Sequence, residues 1–142
     1  MSAARTGPTQ VLMIGASPLI RAGVTQLLDA YADRIVVVGA TRGLRPVRVD
    51  LVLVDLDDGP VAGESALGML ATYVRSGLPV VALSWREDAA WVRAVLAIGP
   101  AGLLFKGVAG SELASRLLGH HAEALSEARR PRARSCRAAR RG

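Results

Sequence analysis

Four consecutive apolar residues, Leu51 to Val54, run directly into an acidic cluster in the stretch DLVLVDLDD at 50–58. A Val/Leu run without alternation belongs to a strand covered on both faces, which is the habit of parallel strands in α/β sheets. Ligands of such sheets bind just beyond the carboxyl ends of the strands. Asp55, at the exit of this strand, therefore reads as a reactive or binding group, or as the N-cap of whatever follows.

The rest of the chain repeats the theme. VLMI at 11–14 is a first strand, and Ser17 and Pro18 then open a helix as N-cap and first helical residue, with Ile20, Val24, Leu27, Leu28 and Tyr31 at helical spacing. IVVV at 35–38 is a second, β-branched strand. The ten residues between Gly39 and Asp50, Gly43 and Pro46 among them, are too few for a full helix with two connections, so a loop or one helical turn is expected there. After the acidic cluster, Gly59, Pro60 and Gly63 lead into a helix with Leu67, Leu70 and Val74, closed by Gly77 and Pro79. VVAL at 80–83 is a fourth strand ending at Ser84. A helix over 87–98 is stopped by Gly99 and Pro100, and Leu103 to Phe105 is a fifth strand left by Lys106. Ser111 is the expected cap of a last helix reaching about Ala124. Five βα units, one with a stunted helix, predict an α/β doubly wound parallel sheet with right-handed crossovers.

The formal net charge of +6 suggests a nucleic-acid partner until it is located along the chain. Residues 127–142 hold seven Arg and one Glu, whereas residues 1–126 hold eleven basic and eleven acidic residues. The body is neutral and the tail alone is basic. With little apolar content beyond Ala, the tail over 126–142 is expected to be disordered, as is the N-terminal stretch 1–9, leaving one domain over 10–125. The tail could hold nucleic acid non-specifically through phosphate. Cys136, the single cysteine, can form neither an internal disulfide nor a metal cluster. No apolar run approaches the roughly 18 residues of a membrane helix, and residues 1–10 lack a secretory apolar stretch, so no membrane association and a cytoplasmic location are expected.

Three polar residues fall at equivalent positions: Asp55 ends strand three, Ser84 strand four and Lys106 strand five. Neighbouring strand ends lie about 5 Å apart, so a carboxylate, a hydroxyl and an ammonium converge on one crevice. That set suits a phosphoryl group, which the carboxylate can accept while the other two bind its oxygens. The plainer alternatives are a Ser84 N-cap, a solvated Lys106 and an Asp55 that is its ion partner. Lys106 is the only lysine among 18 basic residues.

Residues 10 to about 125 resemble response-regulator receiver domains, among them those of LuxR-type transcription regulators. VLMIGASPLIRAGVTQLL is similar to that family's first strand and helix, DLVLVDLDDGPVAG to its phosphoacceptor strand and turn, VVALS to its fourth strand and GPAGLLFKG to its fifth. The resemblance implies a flavodoxin-like (CheY-like) five-stranded sheet of order 2-1-3-4-5, here with a shortened second helix. It also implies Asp55 as phosphoacceptor, Ser84 as hydroxyl switch and Lys106 as site lysine. A histidine kinase or other signalling protein is the implied partner, a homodimer is compatible with the sequence but not specified by it, and the setting is two-component phosphorelay signalling and transcription regulation.

The chain departs from the pattern where metal is held. Family members carry an acidic pair after strand one for Mg²⁺; this chain has Gly15 and Ala16, so a site of Asp55 with Asp57 is expected to be weak or absent. Asp57 and Asp58 read first as surface turn residues, with partial replacement of the missing pair as the alternative. The family's aromatic switch position is Leu103, and the 17 or so residues after the domain could not form a helix-turn-helix, so no sequence-specific DNA binding is expected. The expectation is an atypical receiver that is not an enzyme, with phosphorylation at Asp55 impaired or lost. The alternative is a conventional receiver phosphorylated on Asp55, its metal site rescued by Asp57 or Asp58. A nucleotide-binding enzyme is disfavoured, because the turn after strand one carries neither GxGxxG nor GxxxxGK.

Overall fold

The computed structural model describes residues 7–39, 48–59 and 62–129. Five strands, β1 (Thr9–Ile14), β2 (Ile35–Val38), β3 (Leu51–Asp55), β4 (Val80–Ser84) and β5 (Gly102–Phe105), form one parallel sheet of order β2-β1-β3-β4-β5. Among the described residues four helices accompany them: α1 (Pro18–Leu28), followed by a single 3-10 turn to Tyr31, α2 (Glu64–Val74), α3 (Ala89–Ile98) and α4 (Gly110–Arg129). The expected α/β doubly wound, CheY-like fold is the fold observed.

The unbroken apolar run of β3 has the physical cause inferred from it. Leu51 to Val54 are fully buried, and because side chains alternate across a strand, two cores are fed by one sequence. Leu51 and Leu53 join Val11, Met13, Val81, Leu83 and Leu104 under α1 and α4, whose Val24, Leu28, Leu113 and Leu117 complete that layer. Val52 and Val54 join Val80 and Ala82 against Ala66 and Leu70 of α2 and Trp91 and Val95 of α3. β3 is central, so its end lies between the ends of β1 and β4, with Ile14 beside Val54, Asp55 beside Leu83 and Ser84 beside Phe105.

Local signals set the helix ends. Ser17 Oγ accepts the Ile20 N–H at 3.3 Å with Pro18 in the first turn, and Gly99 closes α3 in the left-handed conformation at φ 97°. Three expected boundaries shift. Asp88 caps α3 by accepting the Trp91 N–H, so that helix starts at Ala89 rather than near Glu87. Ser111 lies inside α4, which begins at Gly110, because the Leu113 N–H is taken by the Ala109 carbonyl and needs no serine cap. The last helix runs to Arg129, beyond Ala124, and so includes 126–129 of the segment expected to be disordered. The connection over 40–47 and the arginine-rich 130–142 lie outside the described residues. Among the described residues no helix is long and apolar enough to cross a membrane.

Candidate functional site

Two of the three strand-end residues, Asp55 and Lys106, meet directly, and Ser84 joins them through Asp57. Lys106 Nζ donates to Asp55 Oδ1 at 2.8 Å across β4, and Ser84, at the end of that intervening strand, is fully buried. Asp55 is itself fully buried, and its Oδ1 also accepts the backbone N–H groups of Asp57 at 2.8 Å and Asp58 at 3.1 Å. One oxygen of this carboxylate thus organises the turn after β3. The other, Oδ2, is buried without a hydrogen-bond partner among the described residues.

That turn brings Asp57 and Asp58 into the crevice, which corrects their reading as plain surface turn residues. Asp57 accepts the Ser84 hydroxyl at 2.9 Å and the backbone N–H of Trp85; Asp58 accepts the Trp85 indole N–H at 3.2 Å and an N–H of Lys106. The three carboxylates place one oxygen each within 4.8 Å of one another, the kind of hard-oxygen set a divalent cation takes. Lys106 is already there. Its Nζ is 2.8 Å from Asp55, 3.3 Å from Asp57 and in hydrogen-bond contact with Asp58, and its side chain is only 5% exposed. Burial works against the Lys106 ammonium, but hydrogen bonds to Asp55 and Asp58 outweigh it and raise its pKa above the usual lysine value. The hydrogen bond from Lys106 in turn holds the Asp58 carboxyl below the usual carboxylate range.

A pH profile follows from these two shifts. The stability contributed by lowered Asp58 is present above the unfolded-state value of about 3.9 and fades as pH falls through its lower folded value. That contributed by raised Lys106 is present below about 10.4 and fades as pH rises through its higher folded value. Urea midpoints should fall at both extremes, and Asp58→Asn should flatten the acid side. An acid side unchanged in that variant would remove the Lys106–Asp58 pair from the account.

Ser84 is held on every side. Its Oγ donates to Asp57, accepts the Arg86 N–H at 3.1 Å and accepts the indole N–H of buried Trp91 at 3.0 Å. The Arg86 guanidinium lies 4.3 Å from the Trp91 ring centroid and pairs with Asp88 at 3.0 Å. Neither tryptophan was singled out from sequence. A Trp directly after the serine at a strand end, with a second Trp in the first turn of the next helix, was the available signal.

On the β1 side the crevice is closed by backbone. Gly15 has φ +81°, where side chains are rarely tolerated, and a Cβ there would lie 2.6 Å from the Asp55 carbonyl oxygen and 2.8 Å from Met69 Cε. A Cβ on Gly59 would overlap the Gly15 carbonyl. The β1–α1 and β3–α2 connections therefore touch through two glycines, and Gly15 brings no side-chain ligand.

No protein-family model matches this chain, and no curated protein does. Solved structures do. The signal receiver domain of an HD domain-containing protein from Pseudomonas fluorescens is similar at 18% identity and TM-score 0.68, over 92% of this chain and 98% of that one. A CheY-like response-regulator receiver domain from Methanospirillum hungatei is similar at 16% identity and TM-score 0.64, over 84% and 98%. A LuxR-family DNA-binding response regulator structure from Staphylococcus aureus is similar at 12% identity and TM-score 0.63, over 80% and 98%. Strand order, helix placement and these neighbours agree that the chain has the fold of response-regulator receiver (CheY-like) domains.

Proposed function

We propose that this chain is an atypical receiver: a module of two-component, phosphorelay-type signalling and transcription regulation that binds partner proteins, with phosphorylation at Asp55 impaired or lost. The observation that carries the reading is the Lys106 ammonium among three carboxylates, with Asp55 fully buried beneath them. Mg²⁺ demands near-octahedral oxygen coordination at about 2.0–2.1 Å, which an ammonium in the same place obstructs. Gly15 and Ala16 add no side-chain oxygen, so the donor set does not fit the ion well. A phosphodonor also has to reach an oxygen of Asp55. Oδ1 is occupied by three donors and Oδ2 is shut from solvent. In this reading the chain works through its surfaces, with a histidine kinase or another signalling protein as partner, and not as an enzyme.

One observation favours the second reading, a conventional receiver: Asp57 and Asp58 do lie beside Asp55, so a divalent ion that displaced Lys106 would find three carboxylates. Incubation with acetyl phosphate, or with a fluoride mimic of phosphate, and Mg²⁺ separates the two. The expected outcome is no mass increase at Asp55 and no saturable amide shifts in the 50–59 turn below several millimolar metal. Stoichiometric phosphorylation, or saturation at sub-millimolar Mg²⁺, would establish the conventional reading instead.

A further inference from the structure

Accessibility in the crevice rises steadily outward: Asp55 is 0% exposed, Lys106 5%, Asp57 15% and Asp58 37% in their side chains. Trp85, the next group out, is 59% exposed. Its indole N–H is tied to Asp58 Oδ2 at 3.2 Å and Lys106 Nζ lies 5.7 Å from its ring centroid, so one edge of the ring faces the cluster while much of its surface meets water. The residues on either side are fixed, Ser84 by Asp57 and Trp91, and Arg86 by its stack on Trp91 and its pair with Asp88. The Trp85 backbone N–H is likewise held by Asp57. The indole itself is held by one exposed hydrogen bond, to Asp58, and by one cation–π contact with the buried Lys106 ammonium.

We propose that Trp85 is a hinged cap on the carboxylate–ammonium cluster, and that swinging its indole away is the step that admits reagents or partners to Lys106 and Asp55. This deepens the reading of an occluded receiver site and rests on it. The cap gives a burial that could be relieved without unfolding. The body beneath it, held by Ser84 and Trp91, need not move.

The only lysine of the chain sits under the cap, so lysine chemistry reports on it alone. The full chain is treated with the N-hydroxysuccinimide ester of acetate, and acylation of Lys106 is followed by peptide mass spectrometry over a range of low urea concentrations. In Trp85→Ala the rate in native buffer is expected to rise about tenfold, the factor that ~1.4 kcal/mol of lost closure gives. It should be nearly flat in low urea, as for a local opening that exposes little surface. A variant reacting at the wild-type rate overturns the cap. So does a rate that climbs steeply from the first increment of urea, because Lys106 is then reached by global unfolding. Acetyl phosphate labelling of the wild type tests the other matter separately: ready phosphorylation of Asp55 removes the occluded-receiver reading, whereas the acylation ratio judges Trp85.

Discussion

Lys106→Ala is expected to destabilise the fold by about 3–5 kcal/mol, the range for removing one partner of a buried ion pair. Asp55 is fully buried and Lys106 nearly so, hence solvent can do little to compensate the carboxylate once the ammonium is gone. Asp57 and Asp58 add like charge within 4.8 Å, which raises the cost further, although the partial exposure of Asp58 lets water screen its share. Asp55→Asn should cost clearly less. The amide oxygen can keep the N–H groups of Asp57, Asp58 and Lys106, and its NH₂ falls where Oδ2 has no partner among the described residues. Lys106 then still has two carboxylates. The double variant should recover part of the Lys106→Ala loss, and the coupling energy is read from a four-protein cycle in urea. Strictly additive changes would mean that the two side chains do not meet in solution.

Trp91→Ala is the second large effect, at about 3–5 kcal/mol for emptying a buried aromatic site. Trp91 is 3% exposed and fills the space between α3 and the β3–β4 face with Val54, Ala82 and Val95. Trp91→Phe keeps most of that volume and removes the hydrogen bond to Ser84, so it should cost nearer to about 1 kcal/mol. The two variants thus divide packing from the tethering of the hydroxyl. If the phenylalanine variant is as unstable as the alanine one in chemical unfolding, the bond to Ser84 outweighs the packing of the ring, contrary to expectation.

The parts of this architecture that were readable from sequence are those written in contiguous residues. Leu51 to Val54 announced a doubly covered strand because each residue had to be apolar whichever face it met, and Ser17-Pro18 and Gly99-Pro100 marked helix ends through local backbone preferences. The convergence of Asp55, Ser84 and Lys106 was readable too, since parallel strands align their carboxyl ends. What escaped depended on groups brought together from afar. Asp57 and Asp58 look like ordinary turn formers until Ser84 and Trp85, some 27 residues away, turn out to donate to them. Trp91 has no role assigned from sequence, and its indole N–H reaches Ser84 only through the packing of α3 against the sheet. Ser111 has the propensity of a helix cap, but the Ala109 carbonyl takes the Leu113 N–H and α4 begins one residue earlier, at Gly110.

The glycine contact between the β1–α1 and β3–α2 connections also bears on how this site can change. An aspartate at 15 would have to adopt a positive φ and push its Cβ into the Asp55 carbonyl, and relief by moving the neighbouring turn is blocked where Gly59 rests on the Gly15 carbonyl. Single substitutions toward a metal ligand there pass through a strained protein before any ligand is gained. At position 15 the crevice is thereby insulated from one-step change: a carboxylate there needs coordinated adjustment of two loops, and a side chain added at either glycine alone costs stability before it supplies a ligand.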